Sequence, residues 1–270
     1  MVGPNHILHA SRIWLRDKFQ HYTALAEVPR QRRVDDLFLV EFPKSGVTWL
    51  SFLFANTNLL LSSQGERRAT FFNINDFVPD IAVDREIGPP ILPVPGHRVI
   101  KSHAVFNLAQ KKVIYLVRDP RNVMPSYHKF LSGLGWAPGS LAQTVEHPRY
   151  GIGAWCDHVS GWLQKVPPYH VFTLVRYEDL IADTATELKS LYALQGFSLD
   201  DALAAKAVEW SSMKSMRAEE ERFNRTHPRL QGFSFVREAD RPTGEWEMTD
   251  AIRQRIEDVA GSLMNRLGYK

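Results

Sequence analysis

Glu41-Phe42-Pro43-Lys44-Ser45-Gly46-Val47-Thr48-Trp49-Leu50 joins an apolar run, Leu37 to Phe42, to a helical pattern from Thr48 to about Leu61. Strand, tight glycine-containing turn, helix is the layout of a phosphate cradle. The N–H groups of such a turn converge with the helix N-terminus on one point, and both favour an anion there. Lys44 adds a mobile positive charge, and Thr48 adds a hydroxyl. The order is not that of the nucleoside-triphosphate loop, G-x-x-x-x-G-K-[ST], because Lys44 precedes Gly46 and no glycine opens the turn. Taken alone, the stretch also reads as an ordinary strand-to-helix turn with a surface lysine.

The flanks supply more strand and helix alternation. Arg98 to Ser102 is a short strand ending at His103. Lys112 to Val117 is a buried strand, and Asp119-Pro120-Arg121 is a helix start with aspartate as cap and proline in the first turn. Tyr150 to Lys165 reads as a helix, His170 to Val175 as another buried strand, and 184–194, 199–208 and 250–267 as helices. Residues 132–153 form a long connection without clear periodicity, and Asp76 to His97 is a Pro- and Gly-rich loop. Residues 6–26 carry an amphipathic stripe (Ile7, Ile13, Trp14, Phe19, Tyr22). This makes an N-terminal helical segment over 1–30 that packs on the domain, with a membrane or partner contact as the alternative. Strands alternating with helices predict a single α/β domain over 1–270, with a central parallel β-sheet flanked by helices and a P-loop-like phosphate-binding turn. A ligand belongs beyond the carboxyl ends of the strands, where Lys44, His103 and Arg118 all fall.

Composition narrows the classes. The chain has 270 residues, 44% apolar and 23% charged, which is enough for a sizeable core. A net charge of +3 is too small to argue for nucleic acid. The single cysteine, Cys156, excludes an internal disulfide and a Cys-based zinc site and suits a reducing compartment. None of the ten histidines has metal-site spacing, so no metal is expected. No apolar signal region follows Met1 and no segment has transmembrane length, so the expected location is cytoplasmic.

Arg33-Val34-Asp35-Asp36-Leu37 followed by Phe42-Pro43-Lys44-Ser45-Gly46-Val47-Thr48-Trp49 resembles the 5′-phosphosulfate loop of the cytosolic-type sulfotransferases. Those enzymes carry Pro-Lys-Ser-Gly-Thr-Thr-Trp there and use 3′-phosphoadenosine 5′-phosphosulfate (PAPS), leaving 3′-phosphoadenosine 5′-phosphate (PAP). Val47 departs from the first Thr; its N–H survives the change and a hydroxyl does not. Val113 to Tyr127 is similar to the family's 3′-phosphate segment, with Arg118 closing a strand and Ser126 eight positions on. Arg suits phosphate because its planar fork binds two oxygens at once; pairing of Arg118 with Asp119 or another carboxylate is the competing reading. Lys101-Ser102-His103 stands where the family has Lys-Thr-His.

The resemblance implies roles. His103 is the general base that takes the acceptor's proton, a task suited to imidazole. Lys44 stabilises charge on the leaving oxygen, and Lys101 holds the sulfonate oxygens. Lys44, Ser45, Gly46, Val47, Thr48 and Trp49 grip the phosphosulfate. Trp49 stacks on adenine or is simply core. Tyr177, in Arg176-Tyr177-Glu178-Asp179-Leu180, borders adenine. Ser212, in Trp210 to Met216, belongs to the base-binding stretch, with Met213 replacing an aromatic. Arg237 fits the 3′-phosphate, although Glu238 and Ala239 depart from the family's Lys and Gly; Gly244-Glu245-Trp246 matches further on. Tyr150 to Trp155 resembles the end of the family's lid. The family's C-terminal dimerisation motif has no counterpart, so no oligomeric state is assigned.

The expected function is therefore transfer of a sulfuryl group from PAPS to a hydroxyl or amine of a small-molecule, lipid-like or carbohydrate acceptor. A small-molecule kinase and a non-catalytic nucleotide-binding protein are the alternatives. Phe71, Phe72, Phe77, Phe106, Trp136 and Tyr150 suggest an apolar or aromatic acceptor wall.

Overall fold

Hydrophobicity on both faces of the strands sets the architecture, and the strands set where the site lies. The computed structural model of the chain describes residues 28–62, 67–83, 85–89, 98–226 and 248–270. The expected helix over 6–26, residues 90–97 of the Pro- and Gly-rich stretch, and the segment containing Arg237, Glu238, Ala239 and Gly244 to Trp246 lie outside the described residues.

Leu37–Glu41 (β1), Val99–Ser102 (β2), Lys112–Val117 (β3) and Val171–Arg176 (β4) form a parallel sheet in the order β2-β1-β3-β4. Side chains alternate across it with a period of two. Phe38, Val40, Val113, Tyr115 and Val117 face one core. It is closed by Trp155 and Trp162 of Ile152–Lys165 (α5) and by Ile256 and Met264 of Asp250–Arg266 (α10). Leu37, Leu39, Ile114 and Leu116 face the other, against Leu50, Leu53 and Phe54 of Val47–Leu61 (α1). Burial on both faces is why these strands read as continuous apolar runs.

The register fixes the site. Val40 pairs with Ser102, so His103 is level with Glu41, and Glu41 pairs with Leu116, two residues before Arg118. The carboxyl ends of β1, β2 and β3 thus present Lys44, His103 and Arg118 at one edge of the sheet, as expected of open α/β proteins.

The remaining helices are Ile74–Phe77 (α2), Pro120–Gly133 (α3), Leu141–Val145 (α4), Tyr177–Ala182 (α6), Thr184–Ala193 (α7), Asp201–Trp210 (α8) and Met213–Thr226 (α9). Asp119 caps α3 as expected, its Oδ1 accepting the Arg121 N–H at 2.8 Å. Two expectations are corrected. β4 is a sheet edge rather than a buried strand: Val171 is 51% and Leu174 38% exposed, because one flank has no neighbouring strand among the described residues. The connection 132–153 contains α4, started by a capping box between Ser140 and Gln143. Helix α9 begins inside the Trp210 to Met216 stretch. Half of its residues are charged, and only Met216, Glu220 and Phe223, at i, i+4 and i+7, form its buried stripe. Among the described residues no helix is long and apolar enough to cross a membrane.

Candidate active site

The turn after β1 is built around one carbonyl. Phe42 C=O accepts both the Ser45 N–H at 3.2 Å and the Ser45 hydroxyl at 2.9 Å. Ser45 is fully buried, and its hydroxyl is engaged in shaping the turn. Lys44 adopts φ 77° and Gly46 φ 115°, both left-handed. For Lys44 this is a strained conformation, found where surrounding structure over-determines it. The carboxylate of Glu41 lies inside the turn: Oε2 accepts the Val47 N–H at 2.7 Å and Oε1 the Lys44 N–H at 3.2 Å. The N–H groups of Gly46, Thr48 and Trp49 have no backbone acceptor among the described residues and no side-chain cap closes α1, so this helix start is available to an anion. Lys44 Nζ sits 4.8 Å from the Phe130 ring centroid.

His103 follows β2 and is buried. Its Nδ1 is 3.7 Å from Glu41 Oε1. Its main chain is pinned from α5: His158 Nε2–H donates to His103 C=O at 3.2 Å, and Trp162 Nε1–H to Ala104 C=O at 2.9 Å. Tyr115 Oη–H donates to His158 Nδ1 at 2.7 Å. Burial pushes His158 down to about 4, so this ring stays neutral near pH 7 and holds one fixed pattern of donor and acceptor. Burial pushes the Glu41 carboxyl up to about 7, against the opposing pull of the Val47 N–H and the charges of Lys101 and Lys44. Lys101 Nζ lies 3.1 Å from Asp80 Oδ2, so this lysine has a carboxylate partner.

Arg118 lies beyond β3 with its guanidinium carbon 4.2 Å from the Tyr177 ring centroid. Its Nε is buried and has no hydrogen-bond partner among the described residues. The competing pairing with Asp119 does not occur: Asp119 Oδ2 takes Arg121 Nη2–H at 2.7 Å, and Arg121 also reaches Glu257 at 3.1 Å. Glu178 is engaged as well, by the Asp119 N–H and the Tyr269 hydroxyl. An orphaned buried guanidinium donor is costly unless a ligand satisfies it, and a nucleotide phosphate fits that need. Ser126 is buried in α3, within the same helix that Asp119 caps.

Tyr177 ties these parts together. Its ring presses on Gly46, stacks beneath Arg118 and meets Trp49 edge-on at 5.8 Å. Trp49 is half-buried, with its indole N–H donating to Ser211 C=O at 3.0 Å. Asn56 Nδ2–H holds Ser211 Oγ at 3.0 Å, bringing the Ser212 segment to α1. The Ser212 hydroxyl itself accepts the Ser215 N–H at 3.2 Å at the start of α9. Lys44, Gly46, Val47, Thr48, Trp49, Tyr177 and Arg118 are thus grouped, Ser212 is joined to them through Trp49, and His103 through Glu41.

The six aromatics expected to line one acceptor wall fall into two groups. Phe71 packs on Phe52 and Phe223, with Phe72 and Phe77 on the same side of the sheet. Phe106, Trp136 and Tyr150 belong to the core on the other side. Among the described residues no cluster of three or more His, Cys, Asp and Glu side chains could hold a metal ion. Sequence reasoning passed over Glu41 and His158. The signals were a carboxylate closing an apolar strand, and a histidine on the apolar face formed by Trp155, Val159 and Trp162.

Residues 34–268 match the sulfotransferase domain model. Sulfotransferase 2A6 of Rattus norvegicus is 30% identical over 237 residues, covering 82% of this chain and 80% of that protein. Sulfotransferase 2A1 of the same organism is 32% identical over 197 residues, covering 68% and 67%. Retinol dehydratase, solved with androsterone and the inactive cofactor PAP, shares the fold with a TM-score of 0.65 at 14% identity, covering 94% of this chain and 85% of that one. Mouse sulfotransferase SULT7A1 complexed with PAP does so with a TM-score of 0.59 at 20% identity, covering 89% and 87%. A kinase is thereby set aside. With the domain model spanning the chain from Val34 to Gly268, this protein belongs to the PAPS-dependent, cytosolic-type sulfotransferase family.

Proposed function

We propose that this enzyme transfers the sulfuryl group of PAPS to a hydroxyl, or an amine, of a small lipid-like or carbohydrate acceptor, with His103 as general base. What supports the reading most is one convergence: an anion-binding turn, a buried imidazole and a half-buried arginine whose buried Nε has no partner among the described residues, at the carboxyl ends of three adjacent parallel strands.

When bound, PAPS supplies the sulfuryl group and a nucleotide leaving group. The N–H groups of Gly46, Thr48 and Trp49 and the Thr48 hydroxyl hold its 5′ end, while Ser45 and Val47 keep the turn in shape. Arg118, Ser126 and Arg237 hold the 3′-phosphate. Trp49, Tyr177 and the segment at Ser212 border the adenine. His103 takes the acceptor's O–H proton as the oxygen attacks. Lys44 neutralises charge on the departing oxygen, and Lys101 turns from Asp80 to the sulfonate oxygens. These are positioning and charge effects, as in phosphoryl transfer, and lysine and arginine supply the countercharge without a metal ion.

A retinol dehydratase of the same fold has been solved with retinol and with androsterone, so apolar alcohols are the first acceptors to screen. The chain is read as cytoplasmic, supported by its lone cysteine. The Cys156 thiol is pushed up to about 11 by burial and so stays protonated near pH 7.

The test pairs binding with turnover. PAP should raise the thermal midpoint of wild type and of His103→Ala alike, because a ligand that binds only the folded state stabilises it. Labelled sulfate should reach an acceptor with wild type only. Full turnover in His103→Ala would remove the base from the mechanism, and no midpoint shift in wild type would end the reading altogether.

A further inference from the structure

A carboxylate is an odd occupant of an anion-binding turn, because it repels the ligand that the turn exists to hold. Glu41 is nonetheless there, almost fully buried and clamped by the N–H groups of Val47 at 2.7 Å and Lys44 at 3.2 Å. The clamp leaves the carboxylate little freedom. It aims Oε1 at Nδ1 of His103 across 3.7 Å, with the two side chains 4% and 7% exposed. The contact follows from the backbone: Val40 pairs with Ser102, so the next residues on each strand stand level and share a face.

We propose that Glu41 is a positioning residue for the general base, orienting the His103 imidazole through Nδ1 and balancing the positive charge that the ring gains at Nε2. This rests on the sulfuryl-transfer reading above. The acceptor's O–H bond breaks as its oxygen bonds to sulfur, the proton goes to Nε2, and the S–O bond to PAP breaks with its electron pair leaving on PAP. The imidazolium so formed lies beside a carboxylate in a water-poor site, where the attraction is strong. A buried carboxylate behind a catalytic histidine has the same task in the Ser-His-Asp triad, selecting the tautomer and stabilising the imidazolium. At 3.7 Å the pair is an ion contact rather than a hydrogen bond; such contacts tighten when the reactants are bound. The His103 main chain is already held by His158, so a small side-chain rotation closes the gap.

The other charged and titratable groups around Glu41 are Lys44 in the turn, Lys101 on β2, Tyr115 on β3 and Tyr177 on α6. Burial pushes Glu41 up to about 7, into the range where a free imidazole titrates.

Glu41→Gln keeps an oxygen for the Val47 N–H and removes the charge. In the ligand-free protein, NMR titration of the His103 ring should show the midpoint lowered by about one pH unit. The rate of sulfuryl transfer should fall about 10- to 100-fold at pH 7, and PAP should bind at least as tightly as to wild type. An unmoved His103 midpoint, or PAP binding weakened tenfold, would mean that Glu41 only braces the turn, and the proposal would be wrong. Should the variant fail to fold, wild type decides: the His103 ring must titrate in two steps that reflect Glu41, and a single step overturns the proposal. Failure of the sulfuryl-transfer reading itself appears separately, as a wild-type protein that does not respond to PAP.

Discussion

The ring of Tyr177 fills the space that a side chain on Gly46 would need: an added Cβ would lie 2.6 Å from Cδ2 and Cε2. Gly46 is also left-handed at φ 115°, so alanine there meets both a clash and backbone strain. Tyr177 cannot retreat freely, since Arg118 and Trp49 lie against it. Gly46→Ala should destabilise the protein by about 2–4 kcal/mol and abolish the PAP-induced thermal shift. A variant with an unchanged midpoint and normal PAP response would show that the ring is not a fixed wall of the cradle.

Arg118 offers a sharper test of the 3′-phosphate assignment. Arg118→Ala should weaken PAP about 10- to 100-fold, the range expected for losing a charged hydrogen bond. It should hardly change binding of 5′-AMP, which lacks the 3′-phosphate. Arg118→Lys should recover little, because the flat fork over Tyr177 is lost. Equal losses for both nucleotides in calorimetry would move Arg118 away from the 3′-phosphate.

Glu41 makes stability depend on pH in an unusual direction. Its carboxyl is raised from 4.5 to about 7 by burial. Between these values the unfolded chain releases the proton and the folded chain keeps it, so this group's contribution weakens as pH rises and reaches its full penalty above 7. Glu41→Gln should therefore be more stable than wild type at pH 8, by up to ~3 kcal/mol, and nearly equal at pH 4. Denaturant titrations at the two pH values measure the difference. A variant less stable at pH 8 would show that the carboxylate's two N–H contacts outweigh its burial.

His158 acts at the acid end. Its ring is pushed down from 6.5 to about 4, so as pH falls through that window the unfolded chain gains a proton that the folded chain refuses. Wild type should lose up to ~3 kcal/mol from this group alone. His158→Gln can keep a donor to His103 C=O and an acceptor for Tyr115, and its stability should fall less steeply between pH 6.5 and 4. Parallel slopes for the two proteins would mean that His158 is protonated in the folded state.

Strand, turn and helix order were legible because they are local. The apolar runs 37–42 and 112–117, the Asp119-Pro120 start and the Lys44/Gly46 turn each carry their own signal. The grouping of Lys44, His103 and Arg118 followed from parallel strand logic alone. What was not legible depended on neighbours far along the chain. β4 reads as buried because its residues are apolar, yet strand order puts it at the edge. Phe71 and Phe106 look alike in sequence, but the sheet separates them. The Lys101 contact with Asp80 and the Asp119 contact with Arg121, which leaves Arg118 without that partner, are side-chain choices that residue spacing does not encode. Glu41 was overlooked because a lone acid at a strand end is ordinary until its burial is known.

The left-handed backbone at Lys44 has a practical bearing on engineering. Glycine at that position would adopt φ 77° with less strain, while deleting the ammonium that the proposed mechanism places at the leaving group. Libraries sorted only for heat tolerance should drift toward such inert substitutions. Useful selection on this scaffold has to reward product formation and endurance together.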